Sequence, residues 1–300
     1  MRAFSFNRKH FAKSDSPIVK NYQISSIIGL FHIEICESLI YNETIFQGEK
    51  MKITILGCGP SWGMPSLING FGETNPKEIK NIRTRSSILI EDKGLRILID
   101  TGPDIREQLL RVGTPEVHSI CYTHPHYDHM SGAEEFAMLA RERQETFNVY
   151  GRQKDIMHLK KRIPYIFQTE DKKFIKTHYI KPYKEFQIGH LGILPILQKH
   201  AMCGSVGYRI GDFAYCTDVK SIDPKGWQCL MGIKTWILGC VTIEENPRWV
   251  HLSEALKWIK RLQPNRTYLT HLGPSMDYQK LEKTLPPNVH PCYDGMVIRI

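Results

Sequence analysis

The chain contains, directly after an apolar run, the heptapeptide Thr123-His124-Pro125-His126-Tyr127-Asp128-His129. Alternate residues of an extended segment point the same way, so His124 and His126 can bind one cation. Asp128 and His129 follow the bend and can reach a second cation nearby. A solvated histidine-rich turn is the alternative, but the pattern lies between a strand-like run and the small residues that begin a helix, which favours a metal site. Two neighbouring ions in turn indicate hydrolysis.

The composition indicates a globular chain that does not cross a membrane. The chain has 300 residues, of which 41% are hydrophobic and 24% charged, as expected for one large or two modest domains. No window approaches the roughly 18 uninterrupted apolar residues of a membrane span. Its 8 cysteines include no Cys-x-x-Cys pair, which suits a reducing compartment. We therefore expect a cytoplasmic protein with no membrane partner.

The beginning of the chain differs from the rest. Residues 51–56 have a strand pattern that runs into a glycine-rich loop, as a first core strand does. We predict a hydrolase domain over residues 51–300. Residues 1–50 are predicted to be an N-terminal extension, which is either poorly ordered or an artefact of the start site.

Short apolar strands then alternate with a few helices. Strand patterns cover Ser205–Ile210 and Thr235–Gly239, and Leu252–Leu262 has the apolar stripe of a helix that faces a core. Many strands in two halves predict two sheets that pack face to face and are covered by helices. The predicted fold is thus α/β, a four-layer α/β/β/α sandwich.

Three later residues can complete a metal site. A site for two ions needs about seven protein ligands, often at strand ends. His200, Asp218 and His271 each follow a strand-like run. One such residue alone would be structural, but three of them beside the histidine motif predict a full ligand set. Imidazole and carboxylate ligands without thiolate fit two divalent ions, either Zn²⁺ or Mn²⁺.

The order of these motifs resembles that of the metallo-β-lactamase superfamily over residues 51–300. Segments 57–65, 98–102, 269–271 and 293–296 more narrowly resemble the phosphoribosyl 1,2-cyclic phosphate phosphodiesterases (PhnP-like). The resemblance implies that one ion is held by His124, His126 and His200, the other by Asp128, His129 and His271, and that Asp218 bridges both. It also implies that Asp100 orders the ligand loop. From the chemistry of paired metal ions, we expect a hydroxide that bridges the two ions to attack phosphorus.

Further roles follow from the same resemblance. It implies a histidine that contacts the phosphate, which His251 matches; the alternative is a structural histidine at a helix N-terminus. We take His251 and Asp128 as the catalytic residues. Known members carry a cysteine cluster that binds a structural zinc, but segment 66–80 has no cysteine, so no structural zinc is predicted.

Substrate contacts are harder to assign from the sequence. The candidates on nearby loops are Ser61, Trp62, Arg83 and Arg85, although both arginines could equally be surface charges. The formal net charge is +9, and residues 152–184 are strongly basic. This basic stretch is either a solvated face or a rim that attracts an anion, preferably a small phosphorylated substrate and less readily a nucleic acid.

The sequence therefore favours a phosphodiesterase that acts on a small, cyclic phosphodiester, and a homodimer is possible. A nuclease of the tRNase Z type would use the same metals, and a thioester or lactam hydrolase would share the fold. A non-catalytic scaffold should have lost at least one ligand, and all seven are present.

Overall fold

The computed structural model describes residues 50–113, 116–167 and 174–300. The predicted extension over residues 1–50 lies outside the described residues except for Lys50, so it stays a prediction. Within these ranges no helix has the length and apolar character needed to cross a membrane.

Two mixed β-sheets form the centre of the fold. Their strands are β1 (Lys52–Gly57), β2 (Ser87–Asp92), β3 (Leu95–Ile99), β4 (Ser119–Cys121), β5 (Phe147–Arg152), β6 (Ile175–Ile180), β7 (Phe186–Ile188), β8 (Leu191–Lys199), β9 (Ser205–Ile210), β10 (Phe213–Cys216), β11 (Ser221–Ile222), β12 (Thr235–Gly239), β13 (Arg266–Thr270), β14 (Val289–Pro291) and β15 (Val297–Arg299). The first sheet has 7 strands in the order β15-β1-β2-β3-β4-β5-β6. The second has 8 strands in the order β11-β8-β9-β10-β12-β13-β14, with β7 paired to β8.

Helices cover the outer face of each sheet. They are α1 (Ile105–Arg111), α2 (Tyr127–Met130), α3 (Ala133–Arg143), α4 (Gln153–Arg162), α5 (Pro224–Leu230), α6 (Leu252–Leu262) and α7 (Tyr278–Thr284). Helices α1 to α4 share a buried hydrophobic cluster with the first sheet, and α5 to α7 share one with the second. A third cluster lies between the sheets.

The alternation of side chains along each strand builds these layers. In β3, Ile97 and Ile99 point into the cluster between the sheets, whereas Leu98 packs against the helices. In β10, Phe213 lies between the sheets and Ala214 faces the outer helices. The predicted four-layer α/β/β/α sandwich is confirmed.

Parallel strand pairs bring the loops of the site together. Strands β3, β4, β5 and β6 pair in parallel, as do β10, β12, β13 and β14. The carboxyl ends of parallel neighbours meet at one edge of a sheet, where ligand-binding loops collect. The predicted site residues follow β3, β4, β8, β10 and β13 at these edges.

Candidate metal centre

The predicted ligands converge into one cluster of histidines and aspartates, which we call the His/Asp cluster. It contains His124, His126, Asp128, His129, His200, Asp218 and His271. Three groups within it offer ligand atoms that lie within 4.8 Å of one another: His124, His126 and His200; His124, His129 and Asp218; and Asp128, His129 and His271. The first and third groups are the two ligand sets that the sequence motifs suggested.

Asp218 lies between the two sets. Its Oδ2 is 3.0 Å from His129 Nε2 and 3.2 Å from His271 Nε2. Its Oδ1 is 3.6 Å from His200 Nε2, in the other set. One carboxylate thus presents one oxygen to each set, which is the geometry of a bridging ligand.

The chemistry of the cluster fits a cation. The Nε2 atoms of His124, His129 and His271 and Oδ2 of Asp128 are buried and make no hydrogen bond with any described residue, although the Nε2 atoms of His129 and His271 face carboxylate oxygens at 3.0–3.5 Å. His200 Nε2 and His126 Nδ1 face each other at 3.4 Å. Buried polar atoms without partners are costly, and a divalent ion ligated by imidazole and carboxylate would satisfy them.

The electrostatic field within the cluster also favours a positive ion. Burial lowers the pKa of His129, but Asp128, Asp218 and Asp100 outweigh burial and raise the pKa well above its usual value. At His200 burial dominates and lowers the pKa to about 4. The carboxylates therefore attract positive charge at one point of the cluster, while neutral imidazole is retained at another.

Asp100 holds two neighbouring segments of the site. It accepts hydrogen bonds from the Thr123 amide at Oδ1 and from the Thr123 hydroxyl and His129 Nδ1 at Oδ2, over 2.7–2.8 Å. Thr123 Oγ1 also lies 3.0 Å from His124 Nδ1. When both Nδ1 atoms carry their protons toward these oxygens, the Nε2 atoms of His124 and His129 are left free to bind a metal.

Three site residues have unusual backbone conformations. Asp100, Asp218 and His271 have φ angles of 65°, 48° and 58°, in the left-handed region. Each follows directly or closely after a strand, so the chain turns sharply at the sheet edge and points the side chain into the cluster. Non-glycine residues adopt this conformation at some cost in free energy, and such residues collect at functional sites.

Arg83 lies inside the framework and not at a substrate surface. Its side chain is 1% exposed. The guanidinium donates to Asn81 Oδ1 at 2.9 Å and to the Met276 carbonyl at 2.7 Å, with further bonds to the carbonyls of Lys80 and Leu272. The burial of Arg83 and its four hydrogen bonds to the protein favour a structural role, and contact between Arg83 and substrate stays a prediction that this environment does not support.

The other candidate substrate contacts lie on or beside the loop that follows β1. Arg85 forms an ion pair with Asp104 at 2.9 Å, and its Nε donates to the Ser61 carbonyl at 3.4 Å. Ser61 and Trp62 are partly buried. The ring of Trp62 lies edge-to-face with that of Trp249, with the ring centroids 6.4 Å apart. Contacts between substrate and Ser61, Trp62 or Arg85 stay predictions.

His251 follows a residue that is hydrogen-bonded to the segment after Asp218. It is the residue before α6, and its Nδ1 lies 3.6 Å from Glu254 Oε2. The preceding amide, of Val250, donates to the carbonyl of Val219, which directly follows Asp218. The basic stretch 152–184 includes α4 and β6, and part of it lies outside the described ranges.

The sequence did not predict two residues that the structure places near the site. Cys203 lies with its sulfur 3.5 Å from His126 Nε2, on the turn between β8 and β9. Trp249 lies edge-to-face with Trp62, on a loop whose next residue bonds the carbonyl of Val219. A tryptophan two residues before the candidate His251 was a usable signal, whereas nothing in the sequence around Cys203 points to His126.

This fold and this cluster of candidate ligands are those of the metallo-β-lactamase fold. The family model described as the beta-lactamase superfamily domain matches residues 95–272. The chain thus belongs to the metallo-β-lactamase superfamily.

Individual relatives agree with this assignment. The structure of a diphosphatase from the PhnP family is similar, with 26% identity and a TM-score of 0.77, over 84% of this chain and 98% of that one. Zinc-bound PqqB from Methylobacterium extorquens has the same fold at 15% identity and a TM-score of 0.66, over 83% of this chain and 100% of that one. An octanoyltransferase from Porphyromonas gingivalis is 30% identical over 82% of this chain but only 51% of its own length. The chain therefore spans about half the length of this curated relative.

Proposed function

We propose that this protein is a phosphodiesterase with two metal ions that hydrolyses a small phosphodiester. One observation carries the proposal: two sets of buried ligand atoms converge on Asp218, which offers one carboxylate oxygen to each. The likeness to a diphosphatase of the PhnP family supports phosphate rather than carbonyl chemistry.

The proposal assigns ligands to two divalent ions, Zn²⁺ or Mn²⁺. His124, His126 and His200 would hold the first, Asp128, His129 and His271 the second, and Asp218 both. Bound ions of this kind lower the pKa of water toward neutrality and offset negative charge on a phosphoryl group. Asp100 keeps His129 and the 123–124 segment in the orientation that metal binding needs.

Within this proposal His251 contacts the phosphate. Its Nδ1 is buried and faces Glu254 Oε2 at 3.6 Å, so Nε2 would be the ring nitrogen that donates to a substrate oxygen. As the imidazolium it would stabilise negative charge on that oxygen or protonate the leaving group. Asp128, the second catalytic candidate, acts by holding its metal and orienting the neighbouring imidazoles.

Hydrolysis of bis(p-nitrophenyl) phosphate by metal-loaded protein tests the assignment. His126→Ala and Asp218→Ala should each abolish turnover, because each removes a ligand. His178→Ala is the matched control, since His178 is a partly buried histidine that bonds Asn148 at 2.9 Å outside the cluster. Undiminished activity in either ligand variant would contradict the proposed site.

A side-by-side panel would identify the substrate class. Cyclic ribose phosphate, a cyclic nucleotide and a tRNA precursor should be compared at equal metal loading. We expect the small cyclic esters to be cleaved and the tRNA precursor to remain intact. Cleavage of the precursor alone would replace the proposal by a nuclease of the tRNase Z type.

An acyl ester or thioester is the second candidate substrate. The observation that favours it is the relative named octanoyltransferase, although this chain matches only half of that protein. An octanoyl thioester therefore belongs in the same panel. Its hydrolysis without turnover of any phosphodiester would favour this second candidate.

A further inference from the structure

Two of the 5 tryptophans differ from the others in their surroundings. Trp227, Trp236 and Trp258 all belong to or pack against the hydrophobic cluster beneath α5 to α7. Among the described residues, Trp62 and Trp249 belong to none of the three hydrophobic clusters, and both are partly exposed. Because large aromatic side chains are normally buried for stability, this pair needs another explanation.

The loops that carry Trp62 and Trp249 are hydrogen-bonded to residues that directly follow two of the proposed metal ligands. The loop after β1 carries Trp62, and the carbonyl of Cys58 on this loop accepts a 2.8 Å hydrogen bond from the amide of Leu272, the residue after His271. The loop after β12 carries Trp249, and its Val250 amide donates over 3.1 Å to the carbonyl of Val219, the residue after Asp218. Both loops therefore lie at the edge of the sandwich that holds the His/Asp cluster.

The second loop is fixed by a cation. Lys220 Nζ, two residues after Asp218, donates to the Asn246 carbonyl at 2.9 Å and to the Trp249 carbonyl at 3.4 Å. This anchoring lowers the conformational entropy that binding through Trp249 would otherwise cost. Hydrogen bonds to main-chain atoms thus fix both of the loops that carry the aromatic pair.

The geometry of the pair suits a flat ring. The two indole planes are inclined by 76°, with centroids 6.4 Å apart, and so form an aromatic corner. A planar ring stacked on one indole would present its edge to the face of the other, and both arrangements are favourable for aromatic groups. Trp249 Nε1 is shielded and has no acceptor in the described part of the chain, so the faces of the two indoles, and not this N–H, are what the pair offers to a ligand.

We propose that Trp62 and Trp249 bind the nucleobase of a small nucleoside phosphoester whose phosphate lies at the His/Asp cluster. This inference rests on the proposed phosphodiesterase function and narrows its substrate class. Stacking on indole does not depend on the sequence of bases, so the pair selects nucleoside esters over alkyl or sugar esters without choosing one base.

Binding gives a readout that does not require turnover. Isothermal titration of the protein with adenosine 5′-monophosphate and with ribose 5-phosphate compares ligands that differ in the base. We expect adenosine 5′-monophosphate to bind at least about tenfold more tightly, a typical loss when a base–aromatic stack is removed. Trp62→Ala and Trp249→Ala should remove this preference, whereas Trp62→Phe, which keeps an aromatic face, should retain most of it.

Trp258→Ala is the matched control. Trp258 forms the other edge-to-face tryptophan pair of the chain, with Trp227 at 5.3 Å and 89°, away from the His/Asp cluster. This variant should leave the preference for the nucleotide unchanged. Equal affinity for the two ligands, failure of both to bind, or a preference that survives both alanine variants would overturn the inference.

A kinetic comparison separates this inference from the proposed function. Thymidine 5′-(p-nitrophenyl) phosphate and ethyl p-nitrophenyl phosphate share a leaving group and differ in the nucleoside. If both esters are cleaved equally well and Trp62→Ala changes neither rate, the phosphodiesterase stands and the nucleobase site is wrong. If neither ester is cleaved but the binding preference persists and depends on Trp62, the nucleobase site stands and the proposed reaction is wrong.

Discussion

Two buried polar clusters at the same end of the molecule differ in how their atoms are satisfied. In the His/Asp cluster, several imidazole nitrogens and a carboxylate oxygen lack hydrogen bonds among the described residues. The second, which we call the Arg83 cluster, consists of Arg83, Asn81 and Asp277. Its guanidinium donates to backbone and side-chain oxygens, and Asn81 Nδ2 donates to Asp277 Oδ2 at 2.8 Å.

The difference separates a structural cluster from a functional one. Asp277 also accepts from the Asn75 amide at 2.9 Å, so the Arg83 cluster joins the 66–82 loop to the start of α7 with its charges compensated. The His/Asp cluster buries ring nitrogens and a carboxylate oxygen that make no hydrogen bonds among the described residues, and it holds three residues in the left-handed region. Both features cost free energy of folding, which indicates a role in binding a ligand.

Metal addition should produce the largest difference between the clusters. An ion that binds only the folded protein stabilises it by about 4 kcal/mol when its concentration is about 1,000 times the Kd. Thermal unfolding with and without Zn²⁺ or Mn²⁺ measures this effect. Asp218→Asn should remove it, because the amide cannot offer one anionic oxygen to each ligand set.

His190→Ala controls for metal bound at the surface. His190 is a more exposed histidine that pairs with Asp92 at 2.6 Å, and its loss should leave the stabilisation by metal intact. If Asp218→Asn were stabilised by metal as much as the unaltered protein, the unpaired atoms of the cluster would need another explanation.

Removal of the Arg83 guanidinium should affect stability instead. Arg83→Met removes the donor to Asn81 Oδ1 and to three carbonyls, and breaking such a buried network costs about 3 kcal/mol of unfolding free energy. Urea unfolding measures this loss, while the metal bound per folded molecule should not change. Arg96→Met is the control: Arg96 is 33% exposed in an ion pair with Glu91 and should contribute less than about 1 kcal/mol.

The two clusters also differ in how far the sequence could predict them. Four of the proposed ligands are packed into one heptapeptide after an apolar strand, and the other three follow recognisable strands. The acceptors of Arg83 in Leu272 and Met276 lie 189 and 193 residues away along the chain. Local pattern reveals contiguous ligands, but the partner of a lone arginine depends on which distant loop the fold brings to it.

A similar limit applies to secondary structure. The strands Ser205–Ile210 and Thr235–Gly239 and the helix Leu252–Leu262 have the predicted bounds, because their apolar periodicity is strong. Helix α4, within the basic stretch, was not predicted. Its only buried apolar residues are Ile156 and Leu159, so the sequence of this basic helix lacks a clear apolar periodicity.

Asp100 shares a property with each cluster. Its carboxylate is fully hydrogen-bonded, as in the Arg83 cluster, but one of its partners is the proposed ligand His129. Asp100→Asn can still accept from the Thr123 amide, but its Nδ2 is a donor and can accept from neither the Thr123 hydroxyl nor His129 Nδ1. We expect metal affinity to fall about 10- to 100-fold, as is typical when the partner of a ligating histidine is lost. Competition with a chromophoric chelator measures the affinity.

Asp104→Asn is the control for this smallest effect. Asp104 lies four residues further along the chain, and its carboxylate bonds Arg85 instead of a proposed ligand. An equal loss of affinity in both variants would mean that the loop as a whole, and not the bond from Asp100 to His129, supports the metal. A loss confined to Asp100→Asn would mean that a satisfied carboxylate can still serve the site, because it fixes which nitrogen of His129 is left free.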